Sequence, residues 1–356
     1  MINNPTITLC VLAYNRPKDL ENTIRSFLWQ TYKNSEMIII DDKSPQDLRK
    51  VVSKWSKNDK RIRYIRNKKN LGFAKNFYQS FAHCRGKYVV YLGDDDVLIN
   101  KNVFEEYLKV FKNDKVGMVR SRQVIFVDGK VYQAAGLGTG SETNFYKNTL
   151  ETFNNLLLST TSISGLAFLN NSKLNSIIYS QETVYPQVDL VARMSLFYAS
   201  VQINKYLIGV GRGSNQLNPL TYSLSGRESN MMDDVSSIYD GISRLAKRNK
   251  KKIMSKNLFM KKTASFVPIF LPYNILIYGN KNTIMFIRKM IKYDKNILIN
   301  PFLVSSLFFL LLPKAWIKFL LRIINLLKLN YLMNEDTRKN INAELRAILS
   351  SKGVSI

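Results

Sequence analysis

The first hundred residues alternate short apolar runs with helix-patterned segments, and few folds accept that alternation. "TITLCVLA" (residues 6–13), "EMIIID" (36–41), "IRYIR" (62–66) and "KYVVYL" (87–92) are rich in β-branched and aliphatic residues. Between them, "PKDLENTIRSFLWQ" sets Leu20, Ile24, Phe27 and Leu28 on one helical face, behind Pro17 and an acidic first turn. "QDLRKVVSKW", with Asp47 as its expected cap, and "GFAKNFYQSFAHC" are further helices. Apolar strands separated by helices imply parallel βαβ units buried on both faces. The expected class is therefore α/β, an open sheet that collects ligands at the carboxyl ends of its strands.

Beyond Asn100 the pattern predicts a helix, "VFEEYLKVF", and a strand pair, "GMVRSRQVIFV" and "KVYQAA", joined at Asp128-Gly129, a short-hairpin dipeptide. "GLGTGSETN" (136–144) lacks the lysine and serine of a phosphate-cradling P-loop and reads as a mobile loop. "SGLAFLN" is a strand, "DLVARMSLFYAS" a helix starting at Asp189, "INKYLIGVG" a last strand, and residues 211–243 are polar and loop-like. Hydrophobic residues make up 46% of the chain, enough to exclude global disorder. Cys10, Cys84 and the single histidine, His83, form no zinc pattern, so a reducing compartment and no structural metal are expected. Met1 and the residues after it show no basic stretch followed by an apolar one, so no signal peptide is expected.

The polar residues gather at strand ends. Tyr14, Asn15 and Arg16 follow the first strand, Asp41 and Asp42 the second, and Asp94, Asp95 and Asp96 the fourth. Singly, such aspartates are turn formers or helix caps. Together in one crevice they repel unless a cation neutralises them. A site of oxygen ligands, without His or Cys, suits Mg²⁺ or Mn²⁺, which complete their shells with phosphate oxygens and water. A nucleoside diphosphate compound is the expected substrate, with Arg16 and Lys75 as further phosphate partners.

The stretches "LAYNRPKDLENTIRSFLWQTY", "EMIIIDDKSPQD", "NLGFAKNFYQSF", "GKYVVYLGDDDVL", "SGLAFLN" and "VDLVARM" together resemble a family 2 glycosyltransferase of the GT-A fold, over roughly residues 6–210. The resemblance implies an inverting enzyme that uses a UDP-sugar. In it Ala13, Tyr14, Asn15 and Arg16 line the donor pocket with Asp42 at its base, Lys75 lies near the diphosphate, and Asp95 matches the last acid of the Asp-x-Asp metal motif. It also implies a catalytic base at Asp189, about ninety residues beyond that motif, and a phosphate- or acceptor-binding Arg212. An acceptor hydroxyl needs such a carboxylate to take its proton as the new bond forms.

Two positions depart from the family pattern. Gly93 stands where the first acid of Asp-x-Asp is expected, so the ion is held by Asp94 with Asp95 or by Asp95 with Asp96. A non-catalytic nucleotide-sugar-binding module that keeps the fold is the alternative Gly93 leaves open. No Gln-x-x-Arg-Trp sequence is present, which argues against a processive polysaccharide synthase.

The net charge of +27 is uneven: residues 244–356 hold 22 Lys/Arg against 4 Asp/Glu, so two-thirds of the excess lies in the last third. "PFLVSSLFFLLLP" is too short to span a bilayer. "KAWIKFLLRIINLLKL" sets Lys314, Lys318, Arg322, Asn325 and Lys328 in one stripe among apolar residues, a pattern that suits the plane of an anionic membrane surface. The expected organisation is a catalytic domain over residues 1–215, a linker over 216–260, and a basic, apolar helical subdomain over 261–356. The expected partners are a UDP-sugar, a lipid-linked glycan acceptor and the inner face of the cell membrane, with no nucleic acid. A soluble or protein acceptor with an oligomerising tail is the alternative.

Overall fold

The computed structural model describes residues 4–135, 143–146, 162–178, 183, 185–211, 231–266 and 271–350. Strand β1 (Ile7–Ala13) pairs in parallel with β2 (Ser35–Asp41) and β4 (Tyr88–Gly93), and β2 with β3 (Ile62–Arg66). In this register Ala13 faces Asp41 and Leu12 faces Gly93, so three strands deliver their polar ends at one level. Helices α1 (Pro17–Leu28), α2 (Leu48–Ser56) and α3 (Phe73–Ser80) make the crossovers. The α1 face buries Leu20, Ile24 and Phe27, and Asp47 caps α2 by accepting the Arg49 amide at 3.0 Å.

Beyond β4 the sheet becomes mixed. Strand β5 (Asp96–Leu98) comes first and helix α4 (Val103–Phe111) follows it. Strand β6 (Val116–Val127) forms a hairpin with β7 (Lys130–Ala135). Its turn residues, Asp128 at φ 47° and Gly129 at φ 73°, are both left-handed, as the tight turn between right-twisted strands requires. Strand β8 (Asn144–Tyr146) is antiparallel to β10 (Ala199–Gly211), and β9 (Leu166–Leu169) is antiparallel to both β4 and β6. The path β3-β2-β1-β4-β9-β6-β10-β5, with β7 and β8 beside it, makes ten strands.

Three expectations change. Strand β5, absent from the sequence reading, starts at Asp96 and lies antiparallel to β10, so Asp96 opens a strand and caps no helix. The helix carrying Asp189 starts earlier, at Pro186, because proline fits the first turn, where no amide partner is needed. After α5 (Ser172–Ile177) and α6 (Pro186–Met194), residues read as a polar loop form α7 (Met231–Arg248), whose Met232, Val235, Ile238 and Ile242 are buried. The polar letters occupy its outer face. Most of the loop expected over 136–144 lies outside the described residues.

The core has two sides. On one, Leu20, Ile24 and Phe27 of α1 pack with Phe104 and Tyr107 of α4 over the strands. On the other, Phe77, Tyr91 and Phe168 join Ile238 and Ile242 of α7, Phe259 of α8 (Lys256–Phe266) and Met290 of α9 (Leu271–Tyr293) in one cluster. After α10 (Pro301–Leu307), α11 (Lys314–Leu332) buries Ile317 and Leu321 against α9, and α12 (Glu335–Leu349) buries Ile341, Leu345 and Ile348 against Phe126 and Val131. No described helix is long and apolar enough to cross a membrane.

Because the Phe77 cluster continues into α7, α8 and α9, a chain cut after residue 215 would expose several apolar side chains, each contributing about 1.5–3 kcal/mol on burial. Such a truncation is expected to be insoluble or to melt well below the full chain. An equal melting temperature would show that the two parts fold independently.

Candidate active site

The ends of β1, β2 and β4 are tied together before any ligand arrives. Past Ala13, Asn15 adopts φ 62°, and its amide donates to Ser44 Oγ at 2.9 Å. Ser44 in turn binds Asp41, by its amide at 2.8 Å and its hydroxyl at 2.5 Å. Asp41 also accepts the Tyr64 hydroxyl at 2.6 Å and lies 3.4 Å from Arg66 Nε. Burial, with this carboxylate beside it, pushes the Tyr64 pKa up, so the phenol stays a donor. Asp41 is thus a structural clasp.

Asp42 holds the next loop. Its oxygens accept Asn67 Nδ2 at 2.8 Å, the Leu71 amide at 2.8 Å and the Gly72 amide at 2.9 Å. Gly72 precedes α3, so Asp42 sets where that helix begins. Lys75 stands exposed near its start, with no ion pair among the described residues.

The three consecutive aspartates point three ways. Asp94 turns toward β1 and accepts the Tyr14 amide at 2.7 Å. Asp95 pairs with Arg16, whose guanidinium also lies 3.6 Å from Asp94. Asp96 turns inward, accepting Ser164 Oγ and the Gly211 amide at 2.9 Å, while Thr23 Oγ1 bonds its carbonyl at 2.8 Å. With both oxygens taken by the protein, Asp96 anchors β5.

Gly93 leaves room for this splay. A Cβ there would lie 3.0 Å from Asp96 Oδ2 and 3.1 Å from Asp95 Oδ1, inside the space those carboxylates fill. The Gly93 amide donates to Ser164 Oγ at 2.9 Å, linking β4 to the Asp96 anchor.

Negative charge remains in excess. Burial first, then the neighbouring Asp95, push the Asp94 carboxyl up to about 8, against the Tyr14 amide and Arg16. Asp19 is raised as well, by burial and by Asp95. Among the described residues no three His, Cys, Asp or Glu side chains cluster as metal ligands. Two adjoining carboxylates short of positive charge nevertheless fit a hard divalent ion that takes its other ligands from phosphate and water. Asp94 and Asp95 would hold it.

Asp189 lies apart, in the first turn of α6 and wholly buried. Its Oδ2 accepts the Tyr78 hydroxyl at 2.6 Å and Arg193 Nε at 2.7 Å, while Oδ1 has no hydrogen-bond partner among the described residues. Arg212 lies outside the described residues. Sequence reasoning missed Ser164, Thr23 and Gly211 around Asp96, and no sequence signal points to them. It also missed Arg193, although "DLVAR" sets an Asp and an Arg four apart on one helix face.

A mixed, helix-flanked sheet with acids at the ends of its parallel strands is the architecture of a GT-A glycosyltransferase. The crystal structure of Staphylococcus aureus TarS, residues 1–349, with UDP-GlcNAc shares this fold at TM-score 0.55 and 14% identity, over 90% of this chain and 92% of that one. Residues 8–176 match the model of glycosyl transferase family 2. An uncharacterized glycosyltransferase of Haemophilus influenzae is 33% identical over 128 residues, covering 36% of this chain and 40% of that protein. The GalNAc(5)-diNAcBac-PP-undecaprenol beta-1,3-glucosyltransferase of Campylobacter jejuni is 28% identical over 189 residues, covering 50% of this chain and 57% of that protein. The chain thus spans less than two thirds of either relative's length.

Asp95 and Asp96 differ in kind. Asp96→Ala strands the buried Gly211 amide and is expected to lower stability by about 1–3 kcal/mol. Asp95→Ala should leave thermal unfolding nearly unchanged. Equal melting temperatures for the two variants would contradict the anchor assignment of Asp96.

Proposed function

We propose that the chain transfers a sugar from a UDP-sugar to a hydroxyl of a lipid-linked glycan, with inversion, during cell-surface glycan synthesis. The observation that carries this reading is the convergence of Tyr14, Arg16, Asp94 and Asp95 at the joined ends of β1 and β4. The uridine would lie along Ala13, Tyr14 and Asn15, where half-exposed Tyr14 offers a stacking face. Asp42 acts at one remove: by fixing Gly72 it places Lys75 toward the diphosphate. Arg16 and Arg212 are the further cations we assign to phosphate or acceptor.

In the transfer, the acceptor oxygen bonds the anomeric carbon, the bond to the diphosphate breaks with its electron pair leaving on UDP, and the acceptor proton passes to a carboxylate. We assign that carboxylate to Asp189. Tyr78 and Arg193 hold Oδ2 and so orient the other oxygen, Oδ1. A Mg²⁺ or Mn²⁺ ion held by Asp94 and Asp95 would supply positive charge to the departing diphosphate.

A lipid-linked acceptor is supported by the name of the Campylobacter relative and by the tail. Residues 244–328 hold 18 Lys/Arg and one acid, Asp294. Trp316, Phe319, Leu326 and Leu327 of α11 are exposed, although the same helix buries Ile317 and Leu321 on its other side. A helix apolar on two faces needs a second apolar contact. With so many cations around it, we place that contact at the anionic inner face of the cell membrane.

UDP release from a panel of UDP-sugars, with an undecaprenyl diphosphate-linked glycan as acceptor, tests the activity. Turnover with one donor is expected, and none with any donor would favour a nucleotide-sugar-binding module. Asp189→Asn should lower kcat by roughly a hundredfold or more with donor KM unchanged. Near-normal turnover would move the base elsewhere and leave Asp189 as the buried partner of Arg193.

Lys314→Gln with Lys318→Gln should weaken binding to anionic vesicles by up to roughly 2 kcal/mol, less in salt, and leave binding to neutral vesicles unchanged. Unchanged vesicle binding with an altered oligomer would instead assign the tail to a second copy of the chain and favour a soluble or protein acceptor.

A further inference from the structure

Away from the acid cluster, α11, α12 and β7 enclose a cleft of about 430 Å³. Four cations line it: Lys130, Arg322, Arg338 and Arg346. No carboxylate is part of its lining. Of the acids of α12, Glu335 pairs with Lys339 at 3.0 Å and Glu344 lies near Lys101. Among the described residues none of the four cations forms an ion pair, and Arg338 donates only to Asn330 Oδ1, at 3.2 Å. Four like charges around one small space repel until an anion enters. Three of them are arginines, whose planar forks match phosphate oxygens two at a time.

Most of the remaining lining is apolar, Val131, Ile323, Leu326 and Leu329, with Tyr132 and Asn342 beside them. A free phosphate would satisfy the arginines and leave that surface uncovered. A phosphate carrying a hydrocarbon chain satisfies both. Leu326 and Leu327 are 53% and 63% exposed and continue the apolar surface outward along α11 toward Phe319 and Trp316, the course a lipid chain would follow.

The cleft is connected to the acid cluster through the sheet. Val131 pairs with Phe126, Phe126 with Gly211, and the Gly211 amide binds Asp96. Two strand pairings and one hydrogen bond therefore link the cleft to the aspartate cluster.

We infer that this cleft is a binding site for the phosphate of a membrane lipid, held by Arg322, Arg338, Arg346 and Lys130 over an apolar floor, which docks the catalytic crevice against the bilayer. The inference rests on the membrane reading of the tail and goes further, because it requires headgroup chemistry as well as charge.

The test compares phosphatidylcholine vesicles containing phosphatidic acid with others containing oleate, matched in surface potential. The full-length chain is expected to bind the phosphate-bearing vesicles at least about fivefold more tightly. Arg338→Gln with Arg346→Gln should erase that preference, whereas Lys314→Gln with Lys318→Gln should weaken binding to both vesicles and keep it. If the double arginine variant melts early, Lys130→Gln, on the hairpin, is read in its place. Absence of binding to either vesicle by the unaltered chain would defeat the membrane reading and the cleft with it. Equal binding to both, or a preference that survives Arg338→Gln with Arg346→Gln, would defeat the cleft alone. Calorimetry with inorganic phosphate and with dihexanoyl phosphatidic acid separates the sources. Equal affinity would mean that the apolar floor contributes nothing, and would overturn the lipid assignment.

Discussion

Mutual repulsion among Asp94, Asp95 and Asp96 is the constraint around which this molecule is built. Three carboxylates leave one strand end, and the fold disposes of each differently: Asp96 inward onto Ser164 and Gly211, Asp94 sideways onto the Tyr14 amide, Asp95 outward onto Arg16. Each solution recruits another part of the sheet. Gly211 ends β10, Ser164 precedes β9, and Tyr14 follows β1, so the strands around the crevice are fastened together through the acids themselves. Gly93 belongs to the same device, since a side chain there would press on Asp95 and Asp96.

The neutralisation is incomplete. One guanidinium serves two carboxylates, and Asp94 holds its proton to about pH 8 through burial and the field of Asp95. A crevice so poised favours a ligand that brings positive charge with it, as a metal-bound diphosphate does. Asp42 and Asp41 carry no such tension, because every oxygen has a donor or a cation beside it. Acids with similar sequence contexts thus divide into braces and binding groups according to their partners.

Much of this was legible in the sequence. The βαβ alternation gave the parallel half of the sheet, Asp128-Gly129 gave the hairpin, and the strand-end acids gave the crevice. What stayed hidden depended on distant partners. Strand β5 has only three residues and exists because β10 lies beside it, more than a hundred residues later. Nothing local to Asp96 reveals that Ser164 waits behind it. Helix α7 was mistaken for a loop because its polar residues outnumber the few that it buries. The tail's charge and apolar content were plain, but the cleft between α11, α12 and β7 arises only once the C-terminal helices fold back onto the hairpin.

That return packs the C-terminal helices on the β6–β7 hairpin, and we propose that their cationic, apolar surface docks at a membrane. We propose that Asp94 and Asp95 hold a divalent ion that a nucleotide diphosphate completes. Calorimetric titration of UDP into the unaltered chain and into Asp95→Asn, each with Mn²⁺ and with EDTA, tests it most directly. Mn²⁺ should tighten UDP binding at least about tenfold in the unaltered chain and have little effect in Asp95→Asn. UDP binding that is indifferent to Mn²⁺ in the unaltered chain, or an equal enhancement in Asp95→Asn, would contradict the account.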